Sequence, residues 1–142
     1  MKKFSQLVWL GPYPNSSAQR LPELPEHWRI LHLLGCADLR PWDTHLLVRD
    51  PVSVLFCGQT HNPVENLQFL EHLLQRLDWQ ALCVSEPNLI FAAVFFAQMA
   101  EKPACVWLEK PELLDLLSEN ERQWLIQSET HLWELKNAPE WL

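Results

Sequence analysis

The sequence predicts one small α/β domain, in which a mostly parallel sheet of about three to four strands is flanked by helices. Short apolar runs occupy residues 52–57, 80–84 and 104–108, and continuous apolar runs are typical of parallel strands buried on both faces. Segments with helical spacing separate these runs, which is the alternation expected of a parallel sheet. A chain of 142 residues that is 48% apolar is long enough to fill one core.

Residues 1–26 are predicted to form an extended, proline-rich arm that precedes an α/β domain of residues 27–142. Prolines at positions 12, 14, 22 and 25 exclude a regular helix there. The arm still carries Trp9 and other apolar residues, so we expect it to pack back on the domain or to dock on a partner. A helix is then predicted from position 25, with an apolar face that includes Trp28, Leu31 and Leu34 and an end at Gly35.

The remaining elements follow in chain order. A short strand is possible at residues 45–48, and the strand at 52–57 stops at Gly58. Helices are predicted at 63–77, opened by Pro63, and at 88–99, where alanines favour a buried helix. A final helical region spans residues 110–135. It is expected to break near Ser118, which with Glu121 three residues later has the spacing of a capping box.

Charge and motifs exclude several classes of function. The net charge is −7, and all of it lies in residues 71–142, which hold twelve acidic and five basic side chains. Such a chain is a poor nucleic-acid binder, since phosphate contacts require clustered Lys and Arg. Three isolated glycines exclude the phosphate-binding loops, and the six histidines and four cysteines lack metal-ligand spacing. We therefore expect no cofactor and no metal.

Cysteine usage and the absence of targeting patterns predict a cytoplasmic protein. Residues 4–10 are too short and too polar for a signal sequence, and the run at 89–97 is too short to span a bilayer. The four cysteines include no C-x-x-C pair, and three of them lie in predicted strands. Reduced thiols that pack as small apolar groups explain this distribution.

Eight tryptophans are many for a chain of this length. Four are expected to pack in the core or against the sheet: Trp79, Trp107, Trp124 and Trp133. The other four are candidates for a protein interface, since tryptophan is enriched among the residues that dominate binding energy: Trp9, Trp28, Trp42 and Trp141.

One arrangement could support catalysis. The strand that ends at Cys57 is followed by Gly58-Gln59-Thr60-His61, and a Cys–His pair within hydrogen-bond reach can act as a nucleophile and its base. This alternative describes a small cytosolic hydrolase or transferase. A buried thiol at a strand end beside a loop histidine is the simpler interpretation. A third hypothesis is an acidic inhibitor of the antitoxin or immunity type, which masks a basic partner.

The order of these segments resembles the psi subunit of the bacterial DNA polymerase III holoenzyme. The similarity begins with residues 27–35, HWRILHLLG, and continues with Leu39-Arg40-Pro41-Trp42. The strand at 52–57, the helix that ends with LLQRL at 73–77, the strand at 81–84 and the segment KPELLDL at 110–116 follow in a similar order. The resemblance covers approximately residues 27–135.

This resemblance implies a non-catalytic adaptor of the DNA replication machinery, within a complex that as a whole is a DNA polymerase with 3′–5′ exonuclease activity. The folded domain is expected to bind the chi subunit as a heterodimer, and the N-terminal segment to insert into the collar of the clamp-loader ATPase. Chi in turn contacts single-stranded DNA-binding protein; no membrane and no sequence-specific nucleic acid is expected as a direct partner. The candidate partner-binding residues are Trp9, Trp28, Leu31, Leu34, Leu39, Arg40 and Trp42.

Overall fold

A computed structural model describes residues 4–12, 25–107, 115–128, 130–133 and 139. In this part of the chain the strands are β1 (Ser5–Leu10), β2 (Trp28–Cys36), β3 (Thr44–Leu47), β4 (Val52–Gly58), β5 (Ala81–Val84), β6 (Ala104–Trp107) and β7 (His131–Trp133). The helices are α1 (Pro63–Arg76), α2 (Ile90–Met99) and α3 (Glu119–Gln127), and a 3-10 turn at Pro87–Leu89 leads into α2. None of the described helices combines the length and apolar character needed to cross a bilayer.

All seven described strands form one sheet in the order β3-β4-β2-β1-β5-β6-β7. Only β3 runs antiparallel to its neighbour, β4, so the predicted α/β class with a mostly parallel sheet is confirmed. The predicted count of three to four strands is wrong. Numbered along the chain, the six parallel strands lie in the spatial order 3-2-1-4-5-6, which is that of doubly wound dinucleotide-binding sheets. The order reverses between β1 and β5.

The predicted arm contains a strand of the sheet. β1 pairs in parallel with β2 on one side and with β5 on the other, and Trp9 within it is 0% exposed. The boundary at residue 27 therefore does not separate Ser5–Leu10 from the domain, and these residues pack within it, which is the first of the two expectations for the arm. The prolines that suggested it begin only at Pro12, and the proline-free residues before it form hydrogen bonds to strands far along the chain. Residues 13–24 lie outside the described part.

The predicted helix at 25–35 is also wrong, because Trp28–Cys36 is strand β2. The apolar residues of this segment are nearly consecutive, so they match the helical period and a doubly buried strand equally well. β2 lies between β1 and β4, and such a position requires apolar side chains on both faces. Position 25 begins no helix; the Pro25 carbonyl accepts a hydrogen bond from the Trp28 amide at 3.0 Å, which closes a turn.

The other predicted elements agree with the structure except at the C-terminal end. Both predicted helices at 63–77 and 88–99 are present, as are the strands near 45–48, 52–57, 80–84 and 104–108. The capping box at Ser118 and Glu121 opens α3. The helical region does not extend to residue 135, because His131–Trp133 forms β7 beside β6. Residues 110–114, 129 and 134–135 of that region lie outside the described part.

The two faces of the sheet bury different side chains. On the first face, aliphatic strand residues such as Val8, Leu31 and Leu82 form a core with the inner faces of α1, α2 and α3. On the second face, the described members of the core are all strand residues, and four are tryptophans: Trp9, Trp28, Trp107 and Trp133. The ring centroids of Trp9 lie 6.1 Å from Trp107 and 6.2 Å from Trp133. The interior positions predicted for Trp107 and Trp133 are confirmed.

Candidate binding cleft at the carboxyl edge of the sheet

A cavity of about 280 Å³ opens at the carboxyl ends of β1, β2 and β4, beneath α1 and the 3-10 turn before α2. Ligands of open α/β sheets bind in this position, outside the carboxyl ends of the strands and next to the point where the strand order reverses. Its walls are mostly aliphatic and include Leu10, Leu33, Leu67, Phe69, Leu70 and Leu73. We call this cavity the cleft.

The wall formed by α1 is fixed by hydrogen bonds at the start of the helix. The Asn62 side chain accepts a hydrogen bond from the Val64 amide at 2.9 Å, and Pro63 occupies the first turn. The Asn66 carboxamide holds the preceding loop, because it accepts from the Thr60 amide at 2.9 Å and donates to the Thr60 carbonyl at 3.1 Å. This carboxamide lines the cleft but already has its partners.

Two other carboxamides at the cleft, those of Gln59 and Asn88, are free of hydrogen bonds to other described residues. Gln59 follows β4 and lies over Gly35, where an added Cβ comes within 2.6 Å of the Gln59 side chain. Asn88 lies in the 3-10 turn and is exposed. The described residues that line the cleft include no Asp, Glu, Lys, Arg or His. An apolar group with an uncharged polar part fits such a site.

The Cys57 thiol lines the cleft but is not activated. Desolvation by burial raises the pKa of Cys57 to about 11, so the thiol is protonated at neutral pH. Its Sγ contacts the Leu55 carbonyl oxygen at 3.5 Å as a weak hydrogen-bond donor, and it has no hydrogen bond to His61, which is exposed in the loop. The Cys57–His61 pair considered from the sequence is therefore not assembled in this structure.

The turn after β1 is held by side chains of the sheet. Gly11 has a φ of +100°, and an added Cβ lies 2.7 Å from the Glu86 backbone nitrogen, so the position requires glycine. The Gly11 carbonyl accepts a hydrogen bond from His32 Nε2 at 2.7 Å. The Pro12 carbonyl accepts from Ser85 Oγ at 2.6 Å and from Trp9 Nε1 at 3.0 Å.

In doubly wound dinucleotide-binding sheets, the corresponding turn presents backbone N–H groups to a pyrophosphate. Here Pro12 has no N–H, and the turn directs carbonyl oxygens at side-chain donors of the protein itself. The chain shares the strand order of these proteins, but the described residues of this turn, Gly11 and Pro12, form no phosphate cradle.

The rim of the cleft carries exposed apolar side chains. Leu34 lines the cleft and is 40% exposed. Trp42 is 47% exposed, and its ring stacks on Phe69 with centroids 5.3 Å apart and an interplanar angle of 16°. The turn that presents Trp42 is tied to β4, because the Gly58 amide donates to the Asp43 carbonyl at 2.8 Å. Phe69 thus connects the exposed tryptophan with the wall of the cleft.

Four of the seven predicted partner-binding residues lie at or near this rim: Leu34, Leu39, Arg40 and Trp42. The Arg40 carbonyl packs against Gly58 so closely that no Cβ fits there. The other three, Trp9, Trp28 and Leu31, are buried strand residues and are not accessible to a partner in this structure. An apolar side chain is as typical of a buried position as of a protein interface, so residue type did not distinguish the two for these residues.

The α1 wall and Asn88 were not predicted as parts of the site. Gln59 was recognised only as one residue of the segment after the 52–57 strand, not as a free carboxamide. The position of Gln59 directly after a predicted parallel strand could have indicated this role, since polar residues that follow parallel strands lie together at one edge of the sheet. Within the described residues no cluster of three or more His, Cys, Asp or Glu is arranged to hold a metal ion.

Comparisons with protein-family models, curated protein sequences and solved structures give no significant match to this chain.

Proposed function

We propose that this protein is a non-catalytic binding subunit, and that its cleft receives an apolar side chain of a partner protein. The observation that carries the proposal is the continuity of the uncharged, leucine-lined cleft with the exposed Trp42 at its rim. A half-exposed tryptophan beside an apolar pocket is typical of residues that dominate binding energy at protein interfaces. The Gln59 and Asn88 carboxamides supply hydrogen-bond donors and acceptors for the partner's backbone.

The chemistry of the cleft supports binding over catalysis. Its only ionisable side chain among the described residues is the Cys57 thiol, whose pKa is raised to about 11. General acid–base catalysis requires a group that titrates near the working pH, and nucleophilic catalysis requires an activated thiolate. Neither requirement is met by the side chains around the cleft.

The resemblance to the psi subunit supplies the candidate partners, namely the chi subunit and the clamp-loader ATPase, and with them an adaptor role in DNA replication. Burial of Trp9 and Trp28 in the sheet moves the proposed loader-binding surface from the N-terminal segment to the turn that carries Trp42. Removal of residues 1–42, which is the obvious truncation, deletes two central strands and does not test this interface.

The test is titration calorimetry of the intact protein with purified chi and with the purified clamp-loader complex. We expect Trp42→Ala to weaken binding to one of them by at least tenfold, since truncation of such an anchor commonly costs about 2 kcal/mol or more. Leu67→Trp, which fills the cleft, is expected to act similarly. Val48→Ala is the matched control, because Val48 is exposed and does not line the cleft.

Two results contradict the proposal in different ways. If neither protein binds, the assigned partners are wrong, and photo-cross-linking from position 42 then tests the cleft by itself. If one binds equally well to the wild type and to both cleft variants, the assigned site is wrong.

A small uncharged ligand is the second candidate occupant, because the cleft lies where α/β sheets hold their ligands. Native mass spectrometry of the purified protein distinguishes the two. A stoichiometric added mass that is lost in Leu67→Trp supports the small ligand.

A further inference from the structure

The two edges of the sheet differ in exposure. At one edge, the residues of β7 are buried or half-buried. At the other edge, the first three residues of β3 are exposed and the fourth is half-buried, and no described strand lies beyond it. Sheet edges are normally protected by charged side chains, Pro or a covering segment. Thr44–Leu47 contains no Pro and no Asp, Glu, Lys or Arg, so β3 is a short but unprotected edge.

Hydrogen bonds at both ends of this segment show which of its backbone groups face outward. At the start, the Asp43 carbonyl accepts from the Gly58 amide at 2.8 Å. At the end, Ser53 Oγ accepts from the Arg49 amide at 3.1 Å and donates to the Arg49 carbonyl at 2.9 Å. Asp43 and Arg49 therefore direct backbone groups towards β4. Because this direction alternates along a strand, every second residue between them directs its N–H and C=O at the open edge: Thr44, Leu46 and Val48.

The side chains of these three residues share the helix-bearing face of the sheet. Leu46 lies opposite Leu55 and Thr44 opposite Cys57 in the register with β4, and both partners belong to the core on that face. Leu46 is 51% exposed and Val48, which directly follows β3, is 75% exposed. A further strand at this edge therefore extends the hydrogen bonding of the sheet and also covers apolar side chains at the margin of the core.

One antiparallel register of this edge against a copy of itself pairs all of the outward backbone groups. Residues that exchange both hydrogen bonds in an antiparallel pair lie directly opposite each other. With Leu46 opposite Leu46 of the second copy, Thr44 of each copy lies opposite Val48 of the other, so all three residues are paired. A shift by two residues leaves at least one of the three without a counterpart, and a shift by one places outward groups against inward groups.

The same register brings opposite charges together. Asp43 of each copy lies opposite Arg49 of the other, and the two-fold symmetry of such a pair produces this contact twice. Both side chains are exposed, and neither forms an ion pair with another described residue. Opposite charges that face each other across antiparallel strands are stabilising, and like charges are destabilising. The register follows from the backbone alone, so the charge match supports it independently.

We propose that β3 pairs with β3 of a second copy of this chain, in the antiparallel register centred on Leu46, and joins the two sheets into one. A strand of another protein can use the same hydrogen bonds, but the sequence around β3 itself supplies the complementary charges. No residue from 43 to 49 lines the cleft. The proposal therefore goes beyond the proposed function and does not depend on it.

Sedimentation velocity of the intact protein over a range of concentrations tests the pairing. We expect a dimer that dissociates on dilution. Leu46→Pro removes an outward N–H and leaves the hydrogen bonds between β3 and β4 in place, so the dissociation constant of the dimer should rise by about tenfold or more. Wild-type protein that is a monomer at about 0.1 mM overturns the proposal, as does a dimer that Leu46→Pro leaves unchanged.

Exchange of charges tests the register, and it remains decisive if Leu46→Pro does not fold. Asp43→Arg and Arg49→Asp each bring like charges together at two places in the dimer, so each should raise the dissociation constant by about tenfold. The double variant Asp43→Arg/Arg49→Asp restores opposite charges and should dimerise as the wild type does.

Glu71→Arg is the matched control, because it changes the net charge as Asp43→Arg does, at an exposed site on α1. It should leave the dimer unchanged. Three results overturn the proposal: single charge variants that dimerise as the wild type does, a double variant that binds no more tightly than the single variants, and equal weakening by Glu71→Arg.

Discussion

The two faces of the sheet are both buried, yet they are built differently. The face under α1, α2 and α3 is built mainly from aliphatic side chains, which pack without any demand for hydrogen bonds; its one fully buried indole, that of Trp79, donates to the Leu74 carbonyl at 2.8 Å. The opposite face contains Trp9, Trp107 and Trp133, whose indoles carry N–H groups into the interior. Trp9 Nε1 donates to the Pro12 carbonyl and to Ser85 Oγ, at 3.0 and 3.1 Å. The buried tryptophan face is thus hydrogen-bonded to the turn beside the cleft, whereas the opposite face packs against the helices.

The largest expected effect is that of Trp9→Ala, which should lower the free energy of unfolding by about 4 kcal/mol, because it removes a fully buried indole from a central strand. Leu82→Ala on the aliphatic face should cost about 3 kcal/mol. Urea denaturation monitored by circular dichroism measures both. If Trp9→Ala costs less than 1 kcal/mol, the tryptophan cluster is not part of the core.

The hydrogen bonds of Trp9 are tested by comparing Trp9→Phe with Trp133→Phe. Both substitutions shrink a fully buried indole to a phenyl ring, but Trp133 Nε1 has no hydrogen-bond partner among the described residues. Removal of the Trp9 donor leaves its partly buried acceptors, the Pro12 carbonyl and Ser85 Oγ, less satisfied, at a cost of about 1 kcal/mol. We therefore expect Trp9→Phe to be the more destabilising of the two by roughly that amount. Equal losses in urea denaturation contradict a role for these hydrogen bonds.

A smaller effect is expected from pH through His32, which lies beside Trp9 in the sheet register. Burial lowers the pKa of His32, and its hydrogen bond to the Gly11 carbonyl only partly opposes this. The unfolded state therefore binds the proton more readily than the folded state. Stability is complete above the ordinary histidine pKa of about 6.5 and declines as the pH falls below it.

Thermal unfolding at a series of pH values between about 7.5 and 5.5 measures this decline. His32→Gln keeps a side-chain N–H donor and cannot titrate in this range, so its melting temperature should fall less on acidification. Parallel pH profiles of the two proteins contradict the assignment.

The smallest effect is expected on thiol reactivity at neutral pH. Cys57 on the aliphatic face should react with iodoacetamide more slowly than Cys36, which is partly exposed at the end of β2, because burial raises the pKa of Cys57 to about 11. Mass spectrometry of the alkylated peptides measures the two rates. Rapid, selective labelling of Cys57 favours the alternative of a Cys-dependent enzyme.

The two regions of the fold also differed in how far the sequence predicted them. From residue 52 to Trp107, strands and helices alternate, each has a Pro or Gly at or near one end, and the prediction agreed with the structure. In the N-terminal third, β1 and β2 pair with each other and with strands much later in the chain. Their consecutive apolar residues gave no period by which a strand could be distinguished from a helix.

The site was predictable only in part, because apolar residues in the N-terminal third could be buried or interfacial. Trp42 was chosen as a tryptophan of the N-terminal third and Leu34 through the resemblance to the psi subunit, and both lie at the rim in the structure. Trp9 and Trp28 were chosen by the same criterion but are buried, since residue type alone does not distinguish an interior tryptophan from an interfacial one. The α1 wall of the cleft depends on how that helix packs over the sheet, which the sequence pattern does not specify.

The central claim is that the cleft and Trp42 bind a partner protein. Site-specific photo-cross-linking from position 42, in the cell that makes the protein, tests it most directly. Mass spectrometry should then identify cross-linked peptides from one predominant protein, and these should disappear in the Leu67→Trp variant. Cross-links that persist unchanged in that variant, or an absence of cross-linked protein together with a small molecule bound in the cleft, contradict the claim.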